Sequence, residues 1–156
     1  MKFLQELFQR ACALKQEGQF KQAEACLAEL RKAFPEHPES AFLHASLLRS
    51  LHRPEEAIEI YRALLEKHPN LLEVWSNLGN TLRSQARLAE SEQCFRQALQ
   101  IEPENPTIHT NLGNLLRDQG RLLEAAEAYR VAIQQQPSPE SLTNLGNTLR
   151  ELGCVE

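Results

Sequence analysis

Proline recurs at positions 35, 69, 103 and 137, each 34 residues after the last, and no other feature of the chain restricts its fold as much. A fixed period of that length marks an array in which one supersecondary unit is repeated and stacked. Aligned at the same period, small residues fall into columns, Ala11, Ala45, Gly79 and Gly113 in one and Ala23, Ala57, Ser91 and Ala125 in another. Large residues form columns of their own: Leu14, Leu48, Leu82 and Leu116, then Leu27, Tyr61, Phe95 and Tyr129. Small and large positions alternate, as interdigitating side chains between touching helices require.

Within each unit the apolar spacing is three and four, as in Val74, Trp75, Leu78, Leu82 and then Leu88, Phe95, Leu99. This is a helical period, and no segment alternates like a strand. The spacing predicts helix pairs at 5–17 with 21–34, 39–51 with 55–68, 73–85 with 89–102, and 107–119 with 123–136, followed by a ninth helix at 140–152. All eight prolines fall at predicted helix ends, where a fixed φ and a missing N–H cost little. Pro54-Glu55-Glu56 starts a helix with carboxylates at its positive end. Gly18, Gly120 and Gly153 fall at the turn inside a unit, where a left-handed residue ends a helix. Gly79, Gly113 and Gly146 fall inside first helices, where close backbone approach accounts for them. Gly146 lies nine residues after Pro137, whereas Gly79 and Gly113 lie ten after their prolines, so one residue is missing from that loop.

Trp75-x-x-Leu78-Gly79-x-x-Leu82, then Ser91-x-x-x-Phe95 and Pro103, resembles the tetratricopeptide repeat. His109, Leu112-Gly113, Leu116, Ala125, Tyr129 and Pro137 repeat the pattern. The first two units depart from it, with Arg10 and His44 at the position of Leu78, and Leu7 and Ala41 at that of Trp75. The resemblance implies an all-α, right-handed solenoid of antiparallel helix pairs. Its repeats are expected at 4–37, 38–71, 72–105 and 106–138, with a partial repeat at 139–156, together one solenoid domain. Stacking is also what the physics asks for, since one helix pair cannot bury its apolar face alone. A curved stack leaves a concave face lined by first helices, the kind of surface repeat proteins use for binding.

Charge and motifs narrow the function. The 156 residues carry 17 basic and 21 acidic side chains, a net charge of −4, which argues against a nucleic-acid partner. The longest apolar run, Ala11–Leu14, is far short of the ~20 residues that span a bilayer. A carboxylate at Glu6 breaks the stretch where a secretion signal would be apolar, so a cytoplasmic location is expected. Cys12, Cys26, Cys94 and Cys154 lack ligand or disulfide spacing and read as reduced thiols. His37, His44, His52, His68 and His109 share no metal-ligand spacing. Glu55 and Glu56 lie on a solvated helix start with nothing to raise a carboxyl pKa. With no phosphate loop or nucleophile elbow, neither enzyme activity, metal nor cofactor is expected of this chain.

The first helices nevertheless carry polar columns that the core does not need. One column runs Gln9, Leu43, Asn77, Asn111 and Asn144, a second Cys12, Ser46, Asn80, Asn114 and Asn147, and a third Lys15, Arg49, Arg83, Arg117 and Arg150. They lie three apart on one helical stripe. The Asn-Leu-Gly-Asn strings at 77–80, 111–114 and 144–147 are similar to repeats of O-linked N-acetylglucosamine transferases. In that family groove asparagines hold the backbone of an extended peptide, which is the role the resemblance implies here. An amide offers donors and an acceptor at once, so it pairs with a peptide unit whatever the side chain. The alternative is that the asparagines tie neighbouring helices together. The basic column equally serves either a partner or the helix C-terminal dipole. Phe8, Phe42 and Leu43 make the other end of the stripe apolar, either as an anchor pocket or as a cover for the end of the stack.

Three functions fit: a scaffold binding an extended peptide or partner protein; a substrate-recruiting segment of a larger glycosyl-, methyl- or sulfotransferase; and self-assembly through 140–152, where Leu142, Leu145 and Leu149 are expected to face outward.

Overall fold

The computed structural model describes residues 2–35 and 37–153. Their regular elements are all helical: α1 (Lys2–Gln16), α2 (Phe20–Ala33), α3 (Pro38–Ser50), α4 (Pro54–Lys67), α5 (Leu72–Ser84), α6 (Leu88–Ile101), α7 (Pro106–Asp118), α8 (Leu122–Gln135) and α9 (Pro139–Glu151). Cys154 lies outside the described residues. Among those described, no helix is long and apolar enough to cross a membrane. The chain divides into two compact units, Met1–Val74 and Trp75–Glu156.

The helix ends follow from local chemistry. Pro38, Pro54, Pro106 and Pro139 each open a helix, where the missing N–H is not needed. The His37 ring accepts from Ser40 N–H, Asn105 from Ile108 N–H, and Ser138 forms a reciprocal capping box with Ser141. Within each helix pair the chain turns through a left-handed residue: Gly18, His52, Ala86 or Gly120, with φ of 75°, 57°, 57° and 74°. The next residue but none, at 19, 53, 87 and 121, then returns its N–H to the carbonyl of Leu14, Leu48, Leu82 or Leu116 at 2.8–3.0 Å. That bond closes each first helix, and the conserved geometry holds even where His52 and Ala86 replace glycine. The loop from α8 to α9 is Gln136, Pro137 and Ser138, one residue shorter than Glu102–Asn105 between α6 and α7.

In the first unit, Leu7, Ala11, Ala23, Cys26, Leu27, Leu30 and Leu47 form the core. The Cys26 thiol, pushed up by burial, donates to the Leu7 carbonyl at 3.3 Å. Arg10 stands exposed on α1. His44 is half-buried with Nδ1 3.0 Å from Arg31 Nη1, so this departure from the repeat pattern is absorbed by a polar contact. Arg53, at the start of α4, pairs with Glu56 and reaches back to Glu24 on α2.

In the second unit the close approaches are visible atom by atom. A Cβ on Gly79 would lie 2.7 Å from the Phe95 ring and one on Gly113 2.6 Å from the Tyr129 ring. Both rings are fully buried, each burial contributing on the order of 2–3 kcal/mol. Ser91 Oγ donates to the Gly79 carbonyl at 2.7 Å, which draws α5 and α6 together. Gly146 differs: a Cβ there would meet nothing within 4 Å, so the expected close approach is absent because no ring lies over it. Leu145 also corrects the expectation, since it packs with Leu112 against Leu116, Ala125, Ala128 and Tyr129 instead of facing outward. Leu142 is 51% exposed and Leu149 half-buried. Glu92 on α6 accepts from Arg96, Gln119 and Arg121 at 2.6, 3.1 and 2.8 Å. Burial alone would raise this carboxyl, but the three donors hold it down at about 2.

A candidate peptide-binding face on the second unit

The first two Asn-Leu-Gly-Asn strings take their places because leucine and glycine are claimed by the core. Leu78 and Gly79 are buried against α6, Gly113 against α8, and a helical turn then sets the flanking asparagines on the opposite side. All six asparagines, Asn77, Asn80, Asn111, Asn114, Asn144 and Asn147, are half-buried.

Some of their amides join neighbouring first helices. Asn144 Nδ2 donates to Asn114 Oδ1 at 2.8 Å, and Tyr129 Oη donates to the same oxygen at 2.7 Å, which fills both lone pairs of that oxygen. Burial pushes the Tyr129 phenol up to about 12, so it keeps the proton it donates. Asn114 Nδ2 points to Glu140 Oε1 at 3.4 Å, and Asn111 Nδ2 to Ser76 Oγ at 3.4 Å. Among the described residues the oxygens of Asn111 and Asn144 accept from no protein group.

The basic column is spent on neighbours more than the sequence suggests. Arg83 Nε lies 3.2 Å from Asp118 Oδ2, Arg117 Nε 4.0 Å from Glu151 Oε1, and Arg150 Nη1 donates to Asn147 at 3.3 Å. Each stands in the last turn of its helix, where its charge also meets the dipole. The acidic partners are legible in hindsight, because Asp118 and Glu151 directly follow Arg117 and Arg150 one period on from Arg83 and Arg117. The contacts of Glu140, Ser76 and Tyr129 with these asparagines have no sequence signal, since nothing in one repeat announces which side chain of the next it will meet.

In the first unit the same stripe is different. Lys15 Nζ donates to Ser46 Oγ at 2.7 Å, and burial lowers that ammonium's pKa. Arg49 ends α3 in the same column. Phe8 and Leu43 pack half-buried against the unit's own core. The Phe8 ring meets His37 edge-on at 5.8 Å, and Phe42 lies 6.1 Å from Tyr61. An apolar hollow of about 410 Å³ opens between Leu4, Phe34 and His37. Covering the core is thus what Phe8 and Leu43 visibly do.

In the second unit a polar pocket of about 270 Å³ lies among Pro106, Thr107, Thr110, Asn111, Gln136, Ser138 and Glu140. Among the described residues, no three His, Cys, Asp or Glu side chains are grouped to hold a metal ion.

Antiparallel helix pairs, each closed by a left-handed turn and offering a polar first-helix stripe, define a helical repeat protein. Sequence profiles described as tetratricopeptide repeat match residues 8–71 and 76–139, and a second such profile matches 43–104. The chain belongs to the tetratricopeptide repeat family. No curated protein matches it significantly. Among solved structures it is similar to MamA from Desulfovibrio magneticus RS-1, at 16% identity and TM-score 0.86, over 96% of this chain and 85% of that one. It is similar to PilF from Pseudomonas aeruginosa at 22% identity and TM-score 0.86, over 96% and 69%. YrrB, described as a TPR protein with an unusual peptide-binding site, matches at 19% identity and TM-score 0.78, over 88% and 71%. At these identities the likeness shows the fold.

Proposed function

We propose that this chain is a protein-interaction scaffold and that its second unit holds an extended peptide segment along the asparagine stripe of α5, α7 and α9. The observation that carries this reading is that Asn111 and Asn144 are fixed by bonds through their nitrogens while their oxygens accept from no protein group among the described residues. A preordered acceptor facing a peptide N–H costs little side-chain entropy on binding. Asparagine is also a poor helix former, several tenths of a kcal/mol worse than alanine, so six of them in three helices call for a use. Family membership and the description of YrrB as peptide-binding support the reading.

The test is the triple variant Asn77→Ala, Asn111→Ala, Asn144→Ala, measured for urea unfolding and for binding of pooled degenerate decapeptides, acetylated and amidated. Each neutral hydrogen bond lost is worth about 0.5–1.5 kcal/mol, so affinity falls roughly tenfold to a thousandfold with stability nearly unchanged. Lower stability with intact binding per folded molecule sinks the recognition role and leaves the amides as helix ties.

Self-association through α9 is a second reading with an observation of its own: Leu142 is 51% exposed beside open space over Gly146. Sedimentation shows concentration-dependent dimers if it holds, lost in Leu142→Glu. A monomer at all concentrations removes it.

A further inference from the structure

The polar pocket between the first turns of α7 and α9 has an electrostatic bias that the asparagine stripe lacks. Thr107, Asn111, Gln136 and Ser138 contribute hydroxyls and amides to its wall, and Glu140 contributes a carboxylate. No lysine, arginine or histidine lines it. Glu140 is exposed, and among the described residues its only hydrogen-bond partner is the neutral Asn114 amide at 3.4 Å. Glu90 and Glu124, which stand three residues after an arginine at a helix start, are each paired with that arginine. Glu140 has no such arginine, because Ser138 caps α9 instead.

The helix starts do not turn the pocket into an anion site. The Ile108 N–H is taken by Asn105 Oδ1 at 3.1 Å and the Ser141 N–H by Ser138 Oγ at 3.1 Å, so N–H groups that would greet an anion already have acceptors. At about 270 Å³ the pocket is below the usual range for drug-sized ligands and suits one side chain. Asn111 belongs to both the pocket and the stripe, and Glu140 touches the stripe through Asn114.

We propose that this pocket receives a lysine or arginine side chain of the peptide lying on the asparagine stripe, with Glu140 as its counter-charge and the Asn111 oxygen as a neutral acceptor. The proposal rests on the peptide-binding reading and adds a preference to it.

Three pools of acetylated, amidated decapeptides test it, degenerate everywhere except the central residue, which is lysine, norleucine or glutamate. Norleucine keeps the lysine stem without its charge. Binding is read from backbone amide shifts of Thr107, Asn111 and Glu140 in two-dimensional NMR titrations. The lysine pool binds about fivefold more tightly than the norleucine pool at low salt, an amount fitting a partly exposed ion pair, and the glutamate pool binds most weakly. Glu140→Gln brings lysine down to the norleucine level. Thr107→Lys, which supplies a cation from within, does the same. Equal binding of lysine and norleucine by the wild-type protein overturns the pocket, as does a lysine preference that survives Glu140→Gln. In either case continued sensitivity of all pools to Asn111→Ala leaves the stripe reading standing. Binding of no pool overturns both.

Discussion

Gly113 and Gly146 occupy the same place in the same Asn-Leu-Gly-Asn string, yet replacing each by alanine is expected to shift stability in opposite directions. A Cβ on Gly113 falls 2.6, 2.8 and 2.9 Å from three atoms of the Tyr129 ring, where ordinary carbon contacts are about 3.5–4.0 Å. The ring must therefore move by roughly 1 Å. It has little freedom to do so, being fully buried and tethered through its hydroxyl to Asn114 at 2.7 Å. Overpacking of this kind costs about 1–3 kcal/mol, and straining the tether adds up to about 1 kcal/mol. Against this, alanine gains about 1 kcal/mol in helix propensity, so Gly113→Ala loses up to about 3 kcal/mol. Gly146→Ala meets nothing within 4 Å and keeps the propensity gain whole, stabilising α9 by about 1 kcal/mol. Urea unfolding followed by far-ultraviolet circular dichroism, with amide exchange in α9, measures both. For a chain of this length 1 kcal/mol corresponds to about 2–4 °C in melting temperature. Shifts of the same sign and similar size refute the argument, since the strings would then differ in nothing that matters. Adding Tyr129→Leu to Gly113→Ala should recover part of the loss, because the obstacle is the ring.

The left-handed turns provide a second pair. Gly120→Ala at φ +74° loses about 1 kcal/mol, while Ala86→Gly at φ +57° gives up left-handed strain of about 1–2 kcal/mol against a smaller unfolded-state entropy cost, and the two urea midpoints should move apart. Acid acts on the Glu92 clamp. A carboxyl held at about 2 in the fold and at 4.5 otherwise contributes stability that is whole above pH 4.5 and is lost as pH falls toward 2; the contribution is about 1–3 kcal/mol once solvent screening is allowed for. Between pH 5 and 3 the wild-type urea midpoint falls, and Glu92→Gln flattens that fall; an unchanged slope contradicts the clamp. Chelator leaves the melting curve where it is, given that no metal-holding group occurs among the described residues, and a midpoint several degrees lower would reveal a structural ion.

The recurrence of proline, small and large residues placed every helix to within a few residues: 107–119 was expected and Pro106–Asp118 is found, 5–17 was expected and α1 begins at Lys2. The shortened α8–α9 loop was equally plain from the distance between Pro137 and Gly146. What these have in common is that caps, turns and apolar period are local, acting over a few residues of chain whatever lies beyond.

The asparagine and arginine columns were legible as positions but not as partners. Asn144 to Asn114 spans 30 residues and Asn111 to Ser76 spans 35, and such bonds depend on sub-ångström offsets between helices that no repeat pattern encodes. Gly146 makes the division plain. Its string is the same as that of Gly113, so the sequence by itself determined a glycine inside a first helix and the turn chemistry around it. Whether that glycine receives a ring was decided only in three dimensions, because a missing side chain has meaning only through what packs against it.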